Sequence, residues 1–160
     1  MNPAEPTFSL DRYDRRILEV LQRDGRISNQ ELADRIGLSP SPCLRRVRAL
    51  EESGLISGYR AEVSAKQLGL KLMALLYISM DEHTPERFAQ FEKKIAELPH
   101  VIEVLLVTGQ EADYQLKVTV RDMDDYHDLL LNRITRIEGV TGVQSSFVLR
   151  KVFDNPLPLE

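Results

Sequence analysis

Gly37-Leu38-Ser39-Pro40-Ser41-Pro42-Cys43-Leu44-Arg45-Arg46-Val47-Arg48-Ala49-Leu50 decides how the first third of this 160-residue chain is read. The glycine closes one helix and the two Ser-Pro steps open another. Either serine can cap, and the proline after it suits a first helical position, where a missing N–H costs nothing. Upstream, Ser28 and Glu31 are spaced as a capping box and Ile27 is placed to staple onto Leu32, so a helix runs from there to Ile36. A turn this short between two helices, containing glycine, is the helix-turn-helix arrangement. A preceding helix, from about Asp11 to Asp24, carries Tyr13, Ile17, Leu18 and Leu21 at helical spacing and is expected to stop at Gly25. The third helix is expected to end at Gly54. Projected at about 100° per residue, Cys43, Leu44, Val47 and Leu50 gather on one side of it. Ser41, Arg45 and Arg48 gather opposite, with Arg46 on the flank. One face packs and the other is cationic, as a helix entering the major groove requires.

Charge partitions along the same boundary. The chain has a net charge of -4, which opposes indiscriminate coating of nucleic acid. Residues 1–60, however, hold ten basic side chains, all arginine, against nine acidic ones, and the remainder is strongly acidic. Arginine's planar fork makes paired hydrogen bonds to phosphate or guanine. A hydrophobic content of 42% with 29% charged residues is that of a chain able to bury a core. The single cysteine, Cys43, cannot form an internal disulfide, and His83, His100 and His127 lack ligand spacing, so neither metal nor cofactor is expected. Met1 to Pro6 lacks a basic-then-apolar leader, and the longest apolar run, Leu72 to Ile78, is too short to span a bilayer. No membrane association and a reducing, cytoplasmic address are the expectation.

The second half reads as a strand leaving the helices at Leu55 to Val63, then strand 72–80, helix 85–98, strand 101–108, strand 112–121, helix 122–137 and strand 143–153. An offset of 39 residues superimposes Phe91 on Leu130, Ile95 on Ile134, Leu98 on Ile137, Val101 on Val140 and Val104 on Val143. Two βαβ units are implied, and βαββαβ names the ferredoxin-like split unit with both helices on one face of an antiparallel sheet. The fold class is therefore α+β: an N-terminal three-helix, winged-helix-like helix-turn-helix domain (8–55), a linker strand (56–70), a C-terminal ferredoxin-like domain (71–153) and a tail (154–160). Leu105 and Val107, with Leu116, Val118 and Val120, are read as facing outward, so a second copy is expected to cover the sheet as a homodimer.

These residues together resemble the Lrp/AsnC family of feast/famine transcriptional regulators. The resemblance rests on Leu10 to Leu18, Asp24 to Ser28, Gly37 to Val47 and Leu50 to Ile56. It continues through Val107-Thr108-Gly109, Asp113-Tyr114, Arg121-Asp122-Met123 and Ser145-Ser146-Phe147, covering about residues 8–153. It implies a DNA-binding domain, an effector-sensing domain, dimers associating into octamers or similar rings, and a response to a small amino acid that changes assembly or DNA affinity.

Paired recognition helices should meet successive major grooves of a pseudo-palindromic operator in double-stranded DNA. Arg45 is expected at a base edge, and Arg48 or Arg46 at a base or phosphate. At the helix start, Ser39, Ser41 and Pro42, with the adjacent amides, are expected at phosphate. On the sensing side, the resemblance points to the loop Thr108-Gly109-Gln110-Glu111-Ala112-Asp113-Tyr114. Glycine permits close approach of backbone to a carboxylate, and Glu111 or Asp113 can receive an ammonium group. Ser145 and Ser146 are further candidates. The loop has three residues between its glycine and Asp-Tyr, where the family commonly has two. With no obvious cationic residue in the loop, an apolar effector such as leucine or methionine is expected.

Other classes fit less well. An enzyme needs a nucleophile with a base, a metal constellation or a phosphate-cradling loop, and the sequence offers none. An RNA-binding sheet would have only Tyr77, Tyr114 and Phe147 for stacking, without a basic surround. The alternative kept open is a stand-alone amino-acid-sensing oligomer acting through protein partners.

Overall fold

The computed structural model of the protein describes residues 9–109 and 111–159. The Met1 to Pro6 reading, the domain start at residue 8 and the effector candidate Gln110 lie outside the described residues. The chain forms two compact units, one running to Glu62 and joined by the tail from Phe153, the other spanning Val63–Val152.

The first unit is built on α1 (Arg12–Leu21), α2 (Asn29–Ile36) and α3 (Pro40–Glu52). Asp11 opens α1 by accepting from the backbone N–H of Tyr13 at 2.7 Å and of Asp14 at 3.0 Å, while the Asp14 carboxylate accepts from the Asp11 N–H at 3.2 Å. This reciprocal box was not anticipated from the sequence, although Asp three residues after Asp is a shorter-armed version of the usual motif. Gln22 caps the far end, so α1 is shorter than expected and Gly25 lies beyond it. Ser28 and Glu31 form the anticipated box on α2, and Gly37 closes it at φ 76°, a left-handed cap that glycine adopts without strain. Ile17, Leu32, Ala33, Ile36, Cys43 and Leu50 are buried together. Leu44 is not among them: it is 38% exposed, contrary to its assignment to the packing side. Its azimuth falls between Cys43 and Arg45, and α1 and α2 cover only the Cys43, Val47 and Leu50 stripe. The tail belongs to this unit. The Gln22 side chain donates to the Leu157 carbonyl at 3.2 Å and accepts from the Leu157 N–H at 2.7 Å, and Leu159 packs against the helical core.

Leu55 to Val63 forms no strand. An extended segment becomes a strand only when a neighbour accepts its hydrogen bonds, and among the described residues no segment pairs with it. Tyr59 within it donates to Glu51 Oε1 at 2.9 Å, and burial, followed by that carboxylate, pushes its phenol up to about 12.

The second unit contains β1 (Leu72–Met80), α4 (Pro85–Ala96), β2 (Val101–Leu106), β3 (Tyr114–Val120), α5 (Met123–Asp128) and β4 (Val140–Phe147). The sheet order is β2-β3-β1-β4, antiparallel throughout, which is the ferredoxin-like order. After α5 the chain widens into a π-helical stretch, Leu129–Ile134, with the Thr135 N–H reaching back to Leu130 O at 3.0 Å. The repeat holds where it matters: Phe91, Ile95 and Ile134 are buried, and Leu98, Leu130 and Ile137 pack against them.

Two expectations are corrected. Leu116, Val118 and Val120 face the helices and are essentially inaccessible, and β3 turns Gln115 and Lys117 to the other side. Strand parity is absolute, so a one-residue error inverts the assignment of a whole strand. The open face of the sheet instead carries Leu75, Tyr77 and Leu105 among polar neighbours, since Leu75 pairs with Lys117 and both Tyr77 and Leu105 pair with Gln115. The last strand starts at Val140 and ends at Phe147, because Gly139, at φ 93°, turns the chain onto the end of β1, where its carbonyl accepts from the Asp81 N–H at 2.8 Å.

Candidate nucleic-acid interface and candidate effector site

The outward side of α3 carries a shallow groove of about 330 Å³ lined by Ser41, Leu44, Arg45, Arg48, Ala49 and Glu52. Arg45 and Arg48 are exposed, and among the described residues neither has an ion-pair partner. Ser39 occupies the cap position of α3, but its side chain makes no capping bond, which leaves the hydroxyl available outward. Pro40 takes the first helical position and Pro42 lies half-buried two residues on. Arginines beside exposed Leu44 and Ala49 form a mixed surface whose chemistry suits base edges: guanidinium forks for guanine, apolar groups for the thymine methyl. Leu44 and Ala49 were missed because a search for cations passes over them.

Arg46 has a different setting. Its Nη1 lies 2.8 Å from Asp14 Oδ1 and 2.7 Å from Asp11 Oδ2, and its guanidinium stands 5.4 Å from the centre of the Tyr13 ring. The hydrogen bond with Asp14, followed by that with Asp11, raises its pKa further, so it is a permanent cation. It ties α3 to the N-terminal box of α1 and is neutralised by two carboxylates, which leaves Arg45 and Arg48 as the open charges of the helix.

In the second unit, the loop after β2 returns to the sheet beside β1. Gly109 has φ 84° with open space where a side chain would stand. The Ser79 hydroxyl donates to the Glu111 carbonyl at 3.0 Å, anchoring the loop to β1. A polar cavity of about 130 Å³ is lined by Tyr77, Ser79, Glu111, Ala112 and Gln144. Tyr77 and Ser79 share a strand face with Gln144 across the β1–β4 pairing. More than thirty residues separate these strand positions from the loop, so no local motif could have joined them; the alternation of β1 was the available signal.

The sequence-derived loop candidates separate here. Thr108 and Gly109 are exposed, and Glu111 is exposed with a carboxylate that makes no ion pair among the described residues. Asp113 is engaged: one oxygen accepts from the Met80 N–H at 2.7 Å and the other lies 2.7 Å from His83 Nε2. Its backbone is also locked, with its N–H on Ile78 O and its carbonyl on the Val107 N–H, each at 2.8 Å. Ser145 and Ser146 point to opposite faces. Ser145 pairs with Leu76, on the helix side, and is hydrogen-bonded to the Tyr126 hydroxyl, whereas Ser146 pairs with Leu75 on the open face. Among the described residues no group of three or more His, Cys, Asp or Glu side chains could hold a metal ion, and no helix is long and apolar enough to cross a membrane.

Both units match known families. Residues 10–57 match the winged helix-turn-helix DNA-binding family and residues 73–158 match the Lrp/AsnC ligand binding domain. The chain is 43% identical over 147 residues to the leucine-responsive regulatory proteins of Klebsiella pneumoniae and Escherichia coli, covering 92% of this chain and 89% of each relative. Among solved structures, it superimposes on a transcriptional regulator from Neisseria meningitidis in complex with L-Met. The TM-score is 0.89 at 36% identity, covering 94% of this chain and 97% of that one. AsnC of E. coli superimposes with a TM-score of 0.84 at 29% identity, covering 94% and 99%. A helix-turn-helix unit with open arginines on its third helix, followed by a ferredoxin-like unit with a polar cavity at its loop, is thus the arrangement of a transcriptional regulator, and this chain belongs to the Lrp/AsnC family.

Proposed function

We propose that this regulator holds a pseudo-palindromic operator through Arg45 and Arg48 of paired copies, and that an apolar amino acid, leucine or methionine, changes its assembly or its grip on DNA. The observation that carries the effector half is the loop cavity. Gly109 has open space where a side chain would stand, which permits a carboxylate to approach the backbone, and Glu111 at the cavity offers an unpaired carboxylate to an ammonium group. Asp113 serves as the brace that fixes the loop, because both of its oxygens already have partners. The Neisseria relative was solved with L-Met, and the relatives at 43% identity are leucine-responsive by name, which supports an apolar effector.

On the DNA side, Arg45 approaches a base edge, Arg48 a base or phosphate, and Ser39 and Ser41 phosphate, while Arg46 holds the helix in place. Two copies joined through the open sheet face would set the half-site spacing, and higher association to an octamer would multiply a weak overall field into avidity. Calorimetry against the twenty amino acids tests the effector: saturable heat with leucine or methionine, lost in Glu111→Gln, is expected, and silence across the panel overturns it. A shift assay on the chain's own upstream DNA over a salt series, with solution mass measured with and without ligand, tests the rest. Specific binding by a dimer or larger assembly is expected, and a monomer binding equally to any duplex overturns it.

A further inference from the structure

In the acidic second unit, carboxylates hold four of the cations. Arg87 stands 3.2 Å from Asp81 and 3.1 Å from Glu138, Lys94 3.3 Å from Glu97 and Lys117 2.7 Å from Glu103, while Arg121 pairs with Asp125. Cations without such partners gather in one place. Between the C-terminal end of α4 and the end of the π-helical stretch lies a cleft of about 590 Å³, walled by Lys93 and Lys94 on one side and Arg133 and Arg136 on the other. Lys93 and Arg133 have no ion-pair partner among the described residues, and Arg136 donates only to the Leu131 carbonyl, at 3.4 Å. The two carboxylates at the rim are already taken, Glu97 by Lys94 and Glu138 by Arg87. Lys66, Lys71 and Arg150 also have no carboxylate partner among the described residues, but they are dispersed along the chain and line no common cavity.

Helix-end placement explains one cation per terminus, through the macrodipole. It does not explain four converging on one concavity, where they repel one another. The floor is apolar, formed by Leu98 and Ile137, both half-buried against the core. Two chemistries therefore meet in one cleft: an apolar floor and a cationic wall with charge to spare. Its volume is that of a small-molecule site. A neutral zwitterion would leave the surplus charge unmet, and a duplex crossing the rim would run against Glu97 and Glu138.

We infer that this cleft binds a nucleoside diphosphate or triphosphate, with the base on Leu98 and Ile137 and the phosphates on Lys93, Arg133 and Arg136. It is separate from the amino-acid cavity and gives the regulator a second metabolite input.

Titration calorimetry on the full-length protein tests this with ADP, pyrophosphate and adenosine, each at low and raised salt. ADP should bind saturably, more tightly than pyrophosphate and more weakly at raised salt, and adenosine should not bind. Lys93→Ala/Arg133→Ala, at two exposed positions, should weaken ADP about tenfold or more while operator and amino-acid binding on the same preparation stay as in the parent. Arg45→Ala/Arg48→Ala should leave ADP unchanged. Absence of saturable ADP binding, ADP affinity lost with the α3 arginines, or pyrophosphate binding as tightly as ADP would each overturn the assignment. Displacement of ADP by non-operator duplex would give the cleft to DNA and overturn it too.

Discussion

The two units build their sites on opposite plans. In the helical unit, every residue of the groove proposed to face DNA lies on α3, within Ser41 to Glu52. In the sheet unit, the proposed effector cavity is assembled from β1, β4 and a loop, with contributions from Tyr77 to Gln144. A face on one helix is fixed by a single periodicity once that helix is anchored. A cavity between strands needs register, parity and loop path to be right together. Variation should therefore act on the first unit residue by residue and on the second through its scaffold.

The largest effect should come from the helix face. Arg45→Ala and Arg48→Ala are each expected to cost about 1–3 kcal/mol of operator binding if they read bases, and somewhat less, with a shallower salt slope, at a phosphate. Combined, they should abolish specific shifts at concentrations where the parent binds fully, with an unchanged melting profile. Equal loss on operator and random duplex would assign both to phosphate. An unchanged operator affinity would remove them from recognition.

On the scaffold side, Gly139 is the position where one methyl should do most damage. A Cβ there would stand 2.6 Å from Arg87 Cδ and 2.9 Å from Met80 Cε, at a φ of 93° that side chains rarely adopt. Gly139→Ala should destabilise the sheet unit by about 2–4 kcal/mol through overpacking and strain. Amino-acid binding should fall with it. Chemical denaturation followed by an effector titration checks this, and a stable variant with an intact cavity would break the proposed dependence of site on scaffold.

Arg46→Ala sharpens the contrast within the reading head itself. It should lower the stability of the helical unit by about 1–3 kcal/mol, since the buried Asp14 loses its cation. DNA affinity measured on the folded fraction should fall far less than for Arg45→Ala. A purely binding defect, at parental stability, would return Arg46 to the interface.

What the sequence disclosed follows the same division. The capping box at Ser28 and Glu31, the Gly37 cap and the opposed faces of α3 are local in the chain, and the structure has them. So are β1, to the residue, and the repeat that placed Phe91, Ile95 and Ile134 in one core. Where the reading failed, the deciding information was remote. Arg46 looked like its neighbours until α1 supplied two carboxylates. Ser145 and Ser146 looked equivalent until pairing with Leu76 and Leu75 sent them apart. The parity of β3 went wrong because its run Leu116, Val118, Val120 is equally apolar whichever way it faces. The segment from Leu55 to Val63 has a strand's alternation but no partner among the described residues.

Acid should produce the smallest effect, and it too separates the units. Asp11 titrates below the ordinary 3.8, held down first by the Asp14 N–H, then by the Tyr13 N–H and Arg46. Glu31 sits below the ordinary 4.5 through the Ser28 hydroxyl and N–H. A carboxylate depressed in the folded state adds stability that is fully present above its unfolded value and disappears as pH falls through the folded one. Both groups are at helix starts, so the helical unit should hold its stability down to about pH 5 and lose it progressively below pH 4. In the sheet unit, Asp125 is lowered chiefly by its hydrogen bond with Arg121, a single pair at one helix start against the two boxes of the helical unit. Thermal unfolding from pH 6 to pH 3 should show the helical unit moving first. Asp11→Asn should lower its melting temperature at pH 6 and flatten its slope below pH 4, while Asp125→Asn should leave that slope as it was. If Asp125→Asn flattens the helical transition and Asp11→Asn does not, the acid response belongs to the sheet unit and the assignment of stability to the α1 box fails.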